Sequence, residues 1–145
     1  MIEAVVDASA VLRWAFEDEA DRAGAHRLEL ALREGRIHAV EPPLFLLEVA
    51  SALERGIRER RIDRPRAEEI MRALASVAFE EVDPREFAGS AFRLALRAGI
   101  RVPDAAYVEV ARARRAILVT ADERQLAVAD ALGVPVVALS DLPPL

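Results

Sequence analysis

EAVVDASAVLRW, residues Glu3–Trp14, is the stretch from which the rest of the chain can be read. Ala4-Val5-Val6 is a short apolar run with β-branched residues, Asp7 ends it, and Ala8–Trp14 resumes in residues that favour helix. This reads as a buried strand passing into a helix, with one carboxylate at the junction. In an open parallel sheet, ligands bind outside the carboxyl ends of the strands, which is where Asp7 falls. Asp is also a favoured helix N-cap, so capping alone accounts for Asp7 unless other carboxylates reach the same edge.

The arrangement recurs near the other end of the chain. Ala116–Ala121 (AILVTA) is the clearest strand, and it ends in Asp122 and a helix over Glu123–Leu132. Between these junctions, Glu17–Arg33 carries Ala20, Ala23, Leu28 and Leu32 among many charges, the pattern of an amphipathic surface helix. Ile37–Val40 is a second strand, stopped by Pro42-Pro43 at the entrance of a helix over Leu44–Arg60. Leu46, Val49, Ala50, Leu53 and Ile57 give that helix a core stripe, with Glu48 inside its apolar part. A carboxylate so placed needs a partner or a metal, unless it faces solvent or meets an arginine.

Further on, Arg66–Ala78 reads as a helix with Ile70, Met71 and Leu74 on its inner side, and Phe79–Val82 as a short strand. Another helix runs from Pro84 to a Gly99 C-cap. In Ile100–Arg115, Pro103 suits the first helical position and puts Asp104 in the first turn, where the helix dipole favours an acid. Val108 and Ala111 are expected to face one way along that helix. Pro135–Leu139 is the last strand, followed by a short tail. Strands alternating with helices imply an α/β fold, a largely parallel sheet with right-handed crossovers, in one domain over residues 1–145.

Composition removes several classes of function. At 145 residues, 53% of them hydrophobic, the chain can bury a substantial core. No apolar run approaches the ~18 residues of a membrane span, and nothing resembles a signal segment, so a cytoplasmic protein without membrane partners is expected. There is no cysteine, hence no disulfide framework and no thiolate metal site. All 20 basic residues are arginine, which removes the phosphate-loop lysine and Schiff-base chemistry. No dinucleotide fingerprint is present. A net charge of −5 argues against general coating of nucleic acid but permits a local basic strip. The arginines at 55, 58, 60, 61, 64 and 66 form such a strip, around a turn at Asp63-Arg64-Pro65. It is either a solvated face or a place for phosphates or a protein partner.

If the two strand–carboxylate–helix junctions lie in one parallel sheet, Asp7 and Asp122 emerge at the same edge. Asp104 precedes the second junction by one helix, and Glu48 needs polar company. Four carboxylates in one place cannot all stay ionised without a cation, and a hard divalent ion such as Mg²⁺ or Mn²⁺ suits oxygen ligands. The chemistry that uses such a cluster is phosphodiester hydrolysis, in which the ion activates water and stabilises the anionic transition state. No histidine is required, and His26 and His38 read as incidental.

VVDASAVLRW, LLEVASAL, VPDAAYVEVA and LVTADERQL, in this order and spacing, resemble the four acidic motifs of PIN-domain ribonucleases, and most closely those of VapC-type toxins. The resemblance spans essentially the whole chain. It implies a three-layer sandwich with helices on both faces of the sheet, and an acidic metal pocket of Asp7, Glu48, Asp104 and Asp122. Asp7 and Asp104 would be the first direct ligands and Ser9 and Thr120 the supporting hydroxyls. Arg13, one helical turn beyond Ser9, is either a contact for substrate phosphate or a simple surface arginine. Ser51 stands where the family often has an asparagine. The resemblance further implies an RNA substrate, a homodimer, and a small VapB-type antitoxin that blocks the pocket. The alternatives are a PIN nuclease of RNA processing without a toxic role, a PIN scaffold that binds RNA without cutting it, and a receiver-like or flavodoxin-like binding module in which Asp7 and Asp122 are only caps.

Overall fold

Strand β1 (Ile2–Val6) lies at the centre of a five-stranded sheet ordered β3-β2-β1-β4-β5, with β2 at Ile37–Glu41, β3 at Phe79–Glu81, β4 at Ile117–Thr120 and β5 at Val136–Ala138. The computed structural model describes residues 1–16 and 21–145; Ala20 and its neighbours in the expected Glu17–Arg33 helix lie outside the described residues. Every strand pair is parallel, with Ala4 opposite Ala39 on one side and Ile117 on the other. The expected α/β sheet is therefore present and is parallel throughout. Its order is not the 2-1-3-4-5 of flavodoxin-like and receiver-like sheets, which removes that alternative architecture.

The helices are α1 (Ala8–Phe16), α2 (Arg22–Arg33), α3 (Phe45–Arg58), α4 (Arg64–Ala75), α5 (Ala88–Ala98), α6 (Val102–Arg114) and α7 (Glu123–Ala131). The chain winds outward from β1 to β3, then returns past β1 to β4 and β5, so the direction of winding reverses between β1 and β4. Right-handed crossovers place α1–α4 on one face and α5–α7 on the other. The packing agrees: α1 lies on α2 and α3, α3 on α4, α5 on α6, and α6 on α7. This is a three-layer sandwich.

Local differences from the sequence reading have local causes. Helix α4 starts at Arg64, earlier than expected, because the Asp63 carboxylate caps it by accepting from the Arg66 amide at 2.8 Å. The segment from Pro84 opens as a 3-10 turn over Pro84–Glu86, and α5 proper starts only at Ala88. Pro103 is the second residue of α6 rather than the first, still among the amides that lack intrahelical partners. The inner face of α3 is Phe45, Val49, Ala52, Leu53 and Gly56, with Leu46 and Ile57 at its margins. In α2, Ala23 is exposed, and Gly24, Ala25 and Leu28 face inward. Helix α6 is buried from Ala105 through Ala111, so Val108 and Ala111 do not define one face. It is roofed by α5 and packs against β1, β2 and β4, which removes the solvent-facing side that would have given a period.

One buried group shapes the sheet edge that carries the site. Past the last registered β1–β2 pair, the Val6 amide donates to Glu41 Oε1 at 2.8 Å instead of continuing the ladder. Glu41 is fully buried, and its second carboxyl oxygen has no partner among the described residues. Burial raises its pKa well above the usual carboxylate range; the Val6 hydrogen bond opposes the rise and the neighbouring Asp7 charge adds to it. The folded state therefore holds a proton that the unfolded chain releases, and this contribution is lost as pH climbs above the ordinary Glu range. Glu41→Gln keeps the acceptor without the titration. Urea unfolding should find its stability rising relative to wild type between pH 5 and 8, while Glu41→Ala, which orphans the Val6 amide, should lie about 1–3 kcal/mol below Glu41→Gln at every pH. A Gln-minus-wild-type difference that does not change with pH would contradict this account.

Candidate functional site

The carboxyl edge of the sheet is where four helices begin, and each brings one acid to its first turn or cap. Asp7 lies between β1 and α1, Glu48 is in the first turn of α3, Asp104 is in the first turn of α6, and Asp122 is the N-cap of α7. For α1, α3 and α7 a parallel sheet imposes this, since every strand-to-helix junction falls on one side; α6 follows α5 and starts at that edge because it leads back to the beginning of β4. Unpaired amides and the helix dipole give each of these starts positive potential.

Both junction aspartates cap their helices. Asp7 Oδ2 accepts from the Ser9 amide at 3.0 Å, a cap, while Oδ1 accepts from Gln125 Nε2 at 3.3 Å. Asp7 is only 5% exposed, and burial is the main cause of its raised pKa, with the Asp104 charge contributing in the same direction. Asp122 spends Oδ1 on the amides of Arg124 (2.9 Å) and Gln125 (3.2 Å); Oδ2 makes no hydrogen bond among the described residues.

Glu48 and Asp104 are the half-open members. Tyr107, fully buried on α6, donates its hydroxyl to Glu48 Oε1 at 2.6 Å, which supplies the polar partner that the sequence reading required. Burial raises the pKa of Glu48 and of Asp104; the charges of Asp7 and Asp104 add to the first, and that of Asp122 to the second. The four acids thus act on one another in a chain of like charges. A guanidinium already stands among them: Arg101 lies 3.6 Å from Asp104 Oδ2 and 4.0 Å from Glu48 Oε2.

Ser9 and Thr120 lie where the sequence reading placed them, in one network between the two junctions. Thr120 Oγ1 donates to Gln125 Oε1 at 2.6 Å and accepts from the Asp122 amide at 3.0 Å. With that proton committed, Ser9 must donate across the 3.4 Å gap to Thr120, while accepting from the Ala121 amide at 3.1 Å. Gln125 closes the network, donating to Asp7 and, at 3.0 Å, to the Asp104 carbonyl. Arg13 is ion-paired with Asp21 at 3.4 Å and lines a cleft beside Thr120 and Asp122. Ser51 is exposed and adds nothing to the site.

Gln125, Tyr107, Arg101 and Glu41 escaped the sequence reading. Only Gln125 carried a signal: it is the sole amide side chain in the chain and stands three residues after Asp122.

All donors facing the crevice are oxygens, their charges resist crowding, and a guanidinium sits among them, a chemistry that fits a hard divalent cation. As placed, no three His, Asp or Glu side chains among the described residues are drawn together tightly enough to hold one, so an ion would have to gather them. Glu48 and Asp104, with side chains 26% and 29% exposed, have room to move.

No curated protein matches the chain. Among solved structures it is similar to the crystal structure of PAE2754 from Pyrobaculum aerophilum, at 25% sequence identity and a TM-score of 0.70, over 95% of this chain and 91% of that one. The PIN domain family model matches residues 4–131, a span that contains all four acids. PIN domains are generally nucleases and typically use divalent metals. With that match over most of its length, the chain belongs to the PIN domain family.

Proposed function

We propose that this PIN domain is a Mg²⁺- or Mn²⁺-dependent endoribonuclease and the toxin member of a type II toxin–antitoxin pair. The observation that carries the reading is the delivery of Asp7, Glu48, Asp104 and Asp122 by four helix starts to one sheet edge, where they perturb one another's ionisation. Asp7 and Asp104 would be the first ligands of the ion, with Asp122 Oδ2 and Glu48 completing the set. A divalent ion bound there supplies charge neutralisation for the phosphodiester and a water of lowered pKa. The chain's own groups do the rest. Gln125, Ser9 and Thr120 hold Asp7 and Asp122 in place, Tyr107 holds Glu48, and Arg13 lies where a substrate phosphate would pass. The toxin assignment rests on the likeness of the four motifs to VapC-type toxins, and with it come a VapB-type antitoxin partner and a homodimer.

Asp7→Asn and Asp104→Asn should each lower cleavage of pooled cellular RNA at least about a hundredfold, the rate equivalent of several kcal/mol of lost charge stabilisation. Their metal-free melting temperatures should match or exceed wild type, because a repelling charge has gone. Chelation should stop the wild-type reaction, and induced expression should arrest growth for wild type but not for Asp104→Asn. Asn variants that cut RNA at the wild-type rate would overturn the catalytic assignment; a wild type that cuts RNA without arresting growth would overturn the toxin role alone.

The raised pKa values of Asp7, Glu48 and Asp104 set the acid limb of the pH–rate profile. These carboxylates ionise at higher pH than ordinary ones, so activity should fall on acidification with a midpoint above the usual carboxylate range. Ion and proton compete for the same oxygens, so raising Mg²⁺ should move that midpoint to lower pH. A midpoint indifferent to Mg²⁺ would contradict ligation by these groups.

A further inference from the structure

Cationic and aromatic side chains also gather beside the acidic edge. A cleft of about 310 Å³ opens between α1, α2 and α4, lined by Arg13 and Trp14, by Arg22, His26 and Glu29, and by Arg66. Three helices thus contribute three guanidiniums to one space. Among the described residues the lining holds one carboxylate, Glu29, which pairs with Arg33 at 2.8 Å. Arg66 makes one ion pair, to Glu69 at 3.3 Å, and a guanidinium has five donors to place. Arg22, Trp14 and His26 make no hydrogen bond or ion pair among the described residues. On a chain of net charge −5, this is a localised exception.

Arg13 also lines the neighbouring cleft of about 450 Å³, whose wall includes Thr120, Ala121 and Asp122. Of the arginine strip read from the sequence, Arg58 and Arg64 are matched by Glu54 and Glu68 on their own helices. Arg61 lies over the Phe16 ring, 4.3 Å from its centroid, leaving Arg66 as the member that lines this space.

We propose that the cleft between α1, α2 and α4 is a subsite for one nucleotide of the RNA strand, its phosphate held by Arg22 and Arg66 and its base against Trp14 and His26. This deepens the nuclease reading and rests on it. Guanidiniums joined to an aromatic ring and an imidazole match a phosphate joined to a flat base, the pairing by which single-stranded nucleic acid is held without regard to sequence. An acidic protein segment would satisfy the arginines and leave the rings unused. Arg13, which lines both this cleft and the one at Asp122, further favours a ligand that extends toward the acidic edge. His26, which carried no signal in the sequence, acquires a role here.

Trp14 is the only tryptophan in the chain, so its fluorescence reports on this cleft alone. The full-length protein in chelator, where no cleavage occurs, is titrated with a labelled ten-nucleotide single-stranded RNA while Trp14 emission and RNA anisotropy are followed together. Emission should be quenched in step with binding. Arg22→Ala should weaken binding and reduce the slope of log affinity against log salt by about 0.7, the share of one single-strand phosphate contact. Trp14→Ala should lose about fivefold or more in affinity, the effect of one stacked base, whereas Trp14→Phe should keep most of it. Because Trp14 also touches the core, the Phe variant and Arg22→Ala carry the test if the Ala variant does not fold.

Absence of RNA binding, binding without a change in Trp14 emission, or wild-type affinity in Arg22→Ala each overturns the subsite. So does quenching by an acidic peptide but not by RNA, which would assign the cleft to a protein segment. Cleavage with Mg²⁺ is scored in parallel. Cutting without a Trp14 response sinks the subsite and spares the nuclease reading; a Trp14 response without cutting does the reverse.

Discussion

The constraint on which this structure depends is the one-sidedness of a parallel sheet. Every strand runs the same way, so the helices that follow β1, β2 and β4 start along one edge, and α6, which leads back into β4, starts there too. That edge is lined with unpaired amides and the positive ends of helix dipoles, which makes it a place where acidic side chains are tolerated in numbers. Asp7 and Asp122 show the consequence atom by atom. Each uses one oxygen to cap its helix; the other oxygen of Asp7 accepts from the buried Gln125, and that of Asp122 makes no hydrogen bond among the described residues.

Tolerance is not neutrality. Burial raises the pKa of Asp7, Glu48, Asp104 and Glu41, and their mutual repulsion adds to it. The protein relieves the crowding in graded ways. Glu41, fully enclosed, is favoured in its protonated form and spends one oxygen on the Val6 amide. Glu48 takes the Tyr107 hydroxyl, and Arg101 places a cation beside Glu48 and Asp104. What remains is an excess of negative oxygen at the mouth of the crevice, with the partly exposed Glu48 and Asp104 on its open side. Such an edge gains most from an added cation that can attract all four acids together.

Much of this was legible in the sequence, and the parts that were not share a physical character. The strand–carboxylate–helix junctions at Asp7 and Asp122 are local patterns, readable from a dozen residues, and they point to the sheet edge; Ser9 and Thr120 were singled out only by the likeness of the motifs to PIN-domain ribonucleases. Glu48 announced its need for a partner by its apolar neighbours, but Tyr107 lies fifty-nine positions away and nothing local names it. Glu41 looked like the end of a strand; only the divergence of β1 and β2 makes its side chain a substitute for ladder bonding. Helix α6, enclosed on all sides, has no polar face and so lacks the period that reveals orientation. The single amide, Gln125, was visible by composition alone and joins three of the acidic elements.

The central claim is that these oxygens close on one hard cation, and Mn²⁺ binding followed by water-proton relaxation measures it without reference to any substrate. Wild-type protein should bind Mn²⁺, with Mg²⁺ displacing it. Asp7→Asn, Glu48→Gln, Asp104→Asn and Asp122→Asn should each weaken that binding. Affinity unchanged by all four substitutions, or no Mn²⁺ binding to the wild type, would contradict the account.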